Sequence, residues 1–144
     1  MPKAVVDTTV LISAFLKYVP GAASHDLLQF AAQGTFELFL SDDILEETGR
    51  VLLTDERNRR RYGYPEAKVI DYLQGLTELA TIVHDVPETK VVRDSNDDMI
   101  LACALAAGAD YLVSRDKDLL VIDKYKGIAI GSPEVFLALL RGLR

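Results

Sequence analysis

The sequence holds one cysteine and two histidines among 144 residues. A lone thiol, Cys103, cannot close an internal disulfide, so nothing points to an oxidising compartment. It lies in the apolar run ILACALAA, where a free thiol packs as a small buried hydrophobe. Cys103, His25 and His84 together are too few for a zinc site of the Cys/His kind. No stretch approaches the roughly 20 apolar residues that span a bilayer. The opening MPKAVVD lacks the apolar region of a secretory leader, so the expected location is the cytoplasm, with no membrane partner. There is no internal repeat, low-complexity tract or Gly/Ser linker. P-loop, dinucleotide glycine fingerprint, HExxH and GxSxG are all missing, which leaves nucleotide binding and serine hydrolysis without support. Net positive charge is lacking too: the balance is −6 and the pI about 4.9. Phosphate binding normally uses Lys and Arg. That objection weakens if the acids gather at one metal site, because a bound cation reverses the local field.

What is present fits one ordinary domain over residues 1–144. Apolar residues make up 49% and charged residues 26%, and a chain of this length buries about two-thirds of its unfolded surface without staples. Short β-branched runs alternate with longer amphipathic ones. KAVVD (3–7), FELFL (36–40), TIVH (81–84), YLVS (111–114) and IAI near residue 129 read as strands. TTVLISAFLK, residues 23–33, ILEETGRVLL, EAKVIDYLQGLTELA, DDMILACALAAG and SPEVFLALLRGL read as helices. Ser41 suits an N-cap, with Asp42 and Asp43 favourable in the first turn. Pro65 and Pro133 suit first-turn positions, and Gly34 and Gly108 suit helix ends. TDERNRRRYGY reads as a polar connection and DVPETKVVRDSN as a loop. Strands alternating with helices give a parallel sheet covered on both faces, whose functional crevice lies beyond the carboxyl ends of the strands.

Two acids fall at such ends: Asp7 closes the first strand and Asp116 follows YLVS. Two others border apolar helix stripes. Asp98 precedes Leu101, Ala102 and Leu105 at i+3, i+4 and i+7, and Glu47 stands three after Ile44 and four before Val51. A carboxylate on an apolar face is costly unless paired or metal-bound. If the four converge they repel, and a hard divalent ion with oxygen ligands, Mg²⁺ or Mn²⁺, removes the conflict. Such an ion can activate water against a phosphate. Each acid also has an ordinary explanation. Asp7 can cap the helix after it, Asp97 and Asp98 can favour a helix N-terminus, Asp116 and Asp118 can be turn acids, and Glu47 can be solvated. The residues alone leave ligand and cap open.

VVDTTVLISA, SDDILEETGRVL and RDSNDDMILACALAAGADYLVSRDKDLL resemble, in order and spacing, the motifs of PIN domains. The resemblance runs from Lys3 to about residue 137 and is nearest to proteins grouped as toxins of toxin–antitoxin pairs, related to VapC. It implies a three-layer α/β/α domain with a mainly parallel central sheet of about five strands. It implies a metal-dependent endoribonuclease that hydrolyses RNA phosphodiesters with Mg²⁺ or Mn²⁺ and leaves a 5′-phosphate. By the same carry-over, Asp7, Glu47, Asp98 and Asp116 would be the acidic, metal-binding cluster. Asp97 is the alternative third member, because the DD pair allows a one-residue slip. Asp118, Ser114 and Thr9 are secondary candidates, Thr9 standing where the family often has Asn. A cognate antitoxin and a homodimer are the partners that the resemblance implies.

Arg57, Arg59, Arg60 and Arg61 are followed by Tyr62 and Tyr64. Arg59, Arg60 and Arg61 are the candidate RNA contacts, since guanidinium groups beside aromatic rings suit a single-stranded backbone and its bases. The plain alternative is a solvated charge run. Two rival functions remain: a haloacid-dehalogenase-like phosphatase, which would need a second Asp where Thr9 stands, and a non-catalytic PIN-fold module that binds RNA or protein.

Overall fold

The computed structural model describes residues 1–84, 86 and 95–142. Of the segment read as a loop, residues 85 and 87–94 lie outside the described residues, and Ser95 and Asn96 open a helix. The strands are β1 (Lys3–Val6), β2 (Glu37–Ser41), β3 (Thr81–Val83), β4 (Tyr111–Val113), β5 (Lys124–Tyr125) and β6 (Ile128–Gly131). The helices are α1 (Thr8–Leu16), α2 (Ala23–Ala32), α3 (Asp42–Thr54), α4 (Glu56–Tyr62), α5 (Glu66–Leu79), α6 (Ser95–Ala107), α7 (Lys117–Leu120) and α8 (Pro133–Gly142).

The sheet runs β3-β2-β1-β4-β6-β5, parallel throughout except for the β5–β6 pair. Helices cover it in a three-layer α/β/α arrangement: α6 lies across β1 to β4, α1 packs on α2 and α3, and α2 packs on α8. The chain moves outward from β1 through β2 to β3, then returns by α6 to β4 on the other side of β1. The order therefore reverses between β1 and β4, and it is beyond the carboxyl ends of such a pair that open α/β sheets place their sites.

The residues between these helices and the sheet are those that the alternation predicted. Ala4, Val5 and Val6 of β1, Leu40 of β2 and Leu112 of β4 are all fully buried. Each Val or Leu contributes roughly 1.5–3 kcal/mol by leaving water. Phe36 and Phe136 meet edge-on at 5.1 Å, tying the entry to β2 to the closing helix. A smaller cluster of Leu52, Tyr64 and Val69 joins the far end of α1, through Phe15 and Leu16, to α3 and α5.

Three elements differ from the sequence expectation, one of them the single turn α7 in RDKDLL, a stretch with no predicted element. The sheet has six strands rather than about five, because β5 pairs with β6 across a tight hairpin. Its turn residues, Lys126 and Gly127, both have positive φ, at 47° and 84°. A two-residue strand is too short to show alternation. The third is α4, which occupies the segment read as a polar connection. The Asp55 side chain caps it by accepting from the Asn58 N–H at 3.1 Å, and Gly63 closes it at φ 59°. None of its residues is buried, so there was no apolar stripe to reveal it. No helix among the described residues is long and apolar enough to cross a membrane.

Candidate metal centre

Asp7 leaves β1 with its backbone N–H still donating to the Val113 carbonyl at 2.9 Å, so it sits between the ends of β1 and β4. Its side chain is 3% exposed and takes four hydrogen bonds. Oδ1 accepts from the Thr8 hydroxyl at 3.0 Å and the Thr9 N–H at 3.4 Å. Oδ2 accepts from the Thr9 hydroxyl at 3.0 Å and the Ser114 hydroxyl at 2.5 Å. The contact with the Thr9 N–H is an N-cap on α1. Asp7 is thus both the cap and the buried acid at the strand end.

Ser114 follows β4 and is fully buried. Its Oγ donates to Asp7 and accepts from the Asp116 N–H at 2.9 Å, so one hydroxyl links the acid after β1 to the acid after β4. Asp116 caps the single turn α7 by accepting from the Asp118 N–H at 2.9 Å, which places those two carboxylates on one side of the turn.

Asp97 comes in from α6. Its i+3, i+4 and i+7 neighbours, Ile100, Leu101 and Ala104, are buried to within 1%, and Asp97 itself is 3% exposed. Carboxylate oxygens of Asp97, Asp116 and Asp118 all lie within 4.8 Å of one another. Asp97 is buried, Asp116 half-buried and Asp118 exposed, so the group opens to solvent on one side.

Asp7, Asp98 and Glu47 lie outside that group of three. Asp7 is joined to it through Ser114. Asp98, half-buried, is one position along α6 from Asp97. Glu47, half-buried on α3, forms an ion pair with Arg50 at 2.6 Å. The donor set of the group is three carboxylates without a thiol or imidazole, which suits a hard divalent cation such as Mg²⁺ or Mn²⁺.

The arginines of α4 divide into two sets. Arg59 is tied to the protein: Nη1 donates to the Leu53 carbonyl at 2.9 Å, and the guanidinium lies 6.0 Å from the centre of the Tyr64 ring. Arg57, Arg60 and Arg61 line a common shallow recess on the other side. Arg60 pairs with Glu56 at 3.2 Å, both strongly exposed, and Arg61 lies over Tyr62 at 5.4 Å.

Arg115 played no part in the reading of the sequence. Its N–H donates to the Thr9 hydroxyl at 3.2 Å, and its guanidinium reaches Ser24 and Glu134. Those partners stand 91 and 19 positions away, beyond any local pattern.

Comparison with known proteins gives a family and two similar structures. The family model described as PIN domain matches residues 3–118. PAE2754 from Pyrobaculum aerophilum, a solved structure, is similar with a TM-score of 0.64 and 22% identity, over 98% of this chain and 90% of that one. A chain of VapBC2 from Rickettsia felis, solved bound to a DNA fragment from their promoter, is similar with a TM-score of 0.59 and 14% identity, over 89% of this chain and 96% of that one. Among curated proteins none matches significantly.

Proposed function

Because the chain belongs to the PIN-domain family, whose members are in general nucleases, we propose that it is a divalent-metal-dependent endoribonuclease and the toxin of a toxin–antitoxin pair. The observation that carries this reading is the convergence of Asp97, Asp116 and Asp118 within 4.8 Å beside the switch point of the sheet. Three anionic groups this close repel one another unless a cation lies among them.

Asp97, Asp116 and Asp118 would hold the ion, with Asp7 joined to them through Ser114 and Asp98 beside Asp97 on α6; Glu47, paired with Arg50, is the fourth acid that the family resemblance assigns to the site. A bound Mg²⁺ or Mn²⁺ supplies charge against the phosphodiester and a water of lowered pKa. The protein's own residues prepare the place. Asp7 accepts a hydrogen bond from the Ser114 hydroxyl, whose oxygen in turn accepts one from the Asp116 N–H and sets the start of α7. The buried face of α6 fixes Asp97 from the other side. Arg57, Arg60 and Arg61 supply phosphate contacts to single-stranded RNA, with Tyr62 as a stacking surface. Arg59, spent on the Leu53 carbonyl, is left to hold α4.

The likeness to a VapBC2 chain supports the toxin reading at the level of fold. An antitoxin with a basic segment would suit these acids, since a guanidinium can take a carboxylate pair in place of a metal. A homodimer and a cytoplasmic location complete the reading.

Thermal unfolding with and without Mn²⁺, followed by cleavage of a single-stranded RNA oligonucleotide, tests it. An ion that binds only the folded chain stabilises it by about 2.7 kcal/mol at a hundredfold excess over its dissociation constant. The wild type is expected to gain this shift and to cut RNA, and Asp7→Asn and Asp116→Asn to lose both. RNA binding without metal-dependent cleavage would favour the non-catalytic module instead.

A further inference from the structure

The turn between β4 and α7 carries Ser114, Arg115 and Asp116, so whatever fixes Arg115 fixes its two neighbours. Arg115 is anchored at both ends. Its backbone N–H donates to the Thr9 hydroxyl, which itself donates to Asp7. Its guanidinium forks onto Glu134, with Nη1 to Oε1 at 3.1 Å and Nη2 to Oε2 at 2.9 Å. Nε and Nη2 also donate to the buried Ser24 Oγ, each at 3.3 Å. One side chain thereby joins the first turn of α2, the first turn of α8 and the turn that bears Asp116.

An arginine beside an acidic site can have two jobs: to contact a substrate phosphate or to hold the site in shape. The hydrogen-bond inventory separates them. A guanidinium has five N–H donors. Here four are used within the protein, two on Glu134 and two on Ser24. The Glu134 carboxylate also neutralises the charge a phosphate would seek. The ion pair is half-exposed, at 38% and 54% for the two side chains, so its worth lies in geometry more than in stability.

We propose that Arg115 is a positioning residue: forked onto Glu134 and Ser24, it holds the β4–α7 turn so that Asp116 and Asp118 meet Asp97. The proposal rests on the nuclease reading above, and its test separates the two. Arg115→Ala, Arg115→Lys, Glu134→Ala and the double Arg115→Ala/Glu134→Ala change are compared with the wild-type full chain. On an RNA oligonucleotide, the single Ala variants should lower kcat about tenfold to a hundredfold, because small misplacements of reacting groups cost this much. KM should stay within about twofold, since uniform substrate binding is untouched. Arg115→Lys should not rescue kcat, because an ammonium cannot make the fork. The double variant should be no worse than either single one, as expected for two halves of one contact. Hydrogen exchange in metal-free protein gives a second reading. The Asp116 and Asp118 amides should exchange about fivefold or more faster in Arg115→Ala while the core amides stay unchanged. Unchanged exchange at those amides overturns the proposal, even in a protein that fails to cut RNA. A raised KM in Arg115→Ala with Glu134→Ala unaffected also overturns it and makes Arg115 a phosphate contact. Absence of both Mn²⁺ binding and cleavage in the wild type defeats the nuclease reading, and exchange then decides this one alone.

Discussion

Ser114 shows how much one small side chain settles. Its hydroxyl is fully buried, donates a hydrogen bond to Asp7 and accepts one from the Asp116 N–H. Ser114→Ala leaves a buried carboxylate oxygen short of a donor and an amide short of an acceptor, each worth about 1–3 kcal/mol. The variant should have a urea midpoint lower by an amount equivalent to about 2 kcal/mol, with unchanged m-value, and a weakened Mn²⁺ shift. Cys103 behaves differently. Burial pushes its thiol up to about 12, partly offset by a hydrogen bond with Ser41. The unfolded thiol, with an ordinary value, loses its proton first as pH rises. The stability it contributes is therefore whole below about pH 9 and declines from there toward pH 12, by up to about 1.4 kcal/mol per pH unit. Urea midpoints at pH 8 and pH 10 should fall further for the wild type than for Cys103→Ala. Legibility at this scale was uneven. Asp7 and Asp116 were marked by their places at strand ends. The choice between Asp97 and Asp98 was not, because α6 is apolar around nearly its whole girth. The i+3, i+4 neighbours of both residues, Ile100, Leu101 and Ala102, are all buried, so counting forward along the helix could not say which acid turns toward Asp116.

Among the elements, those with enough apolar residues over enough length were readable and those without were not. The residues of β1, β2 and β4, the Ser41 cap on α3 (Oγ accepting from the Ile44 N–H at 3.1 Å) and Pro133 at the start of α8 all stand as expected. The missed helix α4 has caps at both ends but no core residue, and a cap alone is a weak signal beside a missing hydrophobic stripe. The hairpin from β5 to β6 was missed for want of length, and it also carries a local flaw. Its turn needs positive φ at two successive residues, a shape for which Asn-Gly is preferred. The chain has Lys126-Gly127. A lysine in the left-handed region costs roughly 1–2 kcal/mol relative to a residue that tolerates it. Lys126→Asn should therefore raise the urea midpoint by the equivalent of about 0.5–1 kcal/mol, without effect on Mn²⁺ binding, since the turn precedes β6, at the edge of the sheet opposite the carboxyl ends of β1 and β4.

For the whole molecule, the opposition between a net charge of −6 and the RNA substrate proposed above is resolved by position. The acids that matter are gathered at the switch point, and Arg57, Arg60 and Arg61 present their charge together on α4. If those arginines meet phosphates, replacing all three with Ala should flatten the salt dependence of RNA binding by about 2 in log–log slope, single strands losing about 0.7 per contact. Arg59→Ala should leave that slope alone and lower stability instead, because its partner is the Leu53 carbonyl. An unchanged slope in the triple variant would return the patch to an ordinary solvated face. The edges of the sheet carry a consequence of their own. One ends on β3, three residues long, and the other on β5, two residues long, which begins with Lys124 and is followed by Lys126. Short margins, one of them bearing lysine, give an incoming chain almost no unpaired backbone to copy, which is how natural sheets resist joining into larger ones. A crowded solution of this molecule should therefore stay free of fibrils.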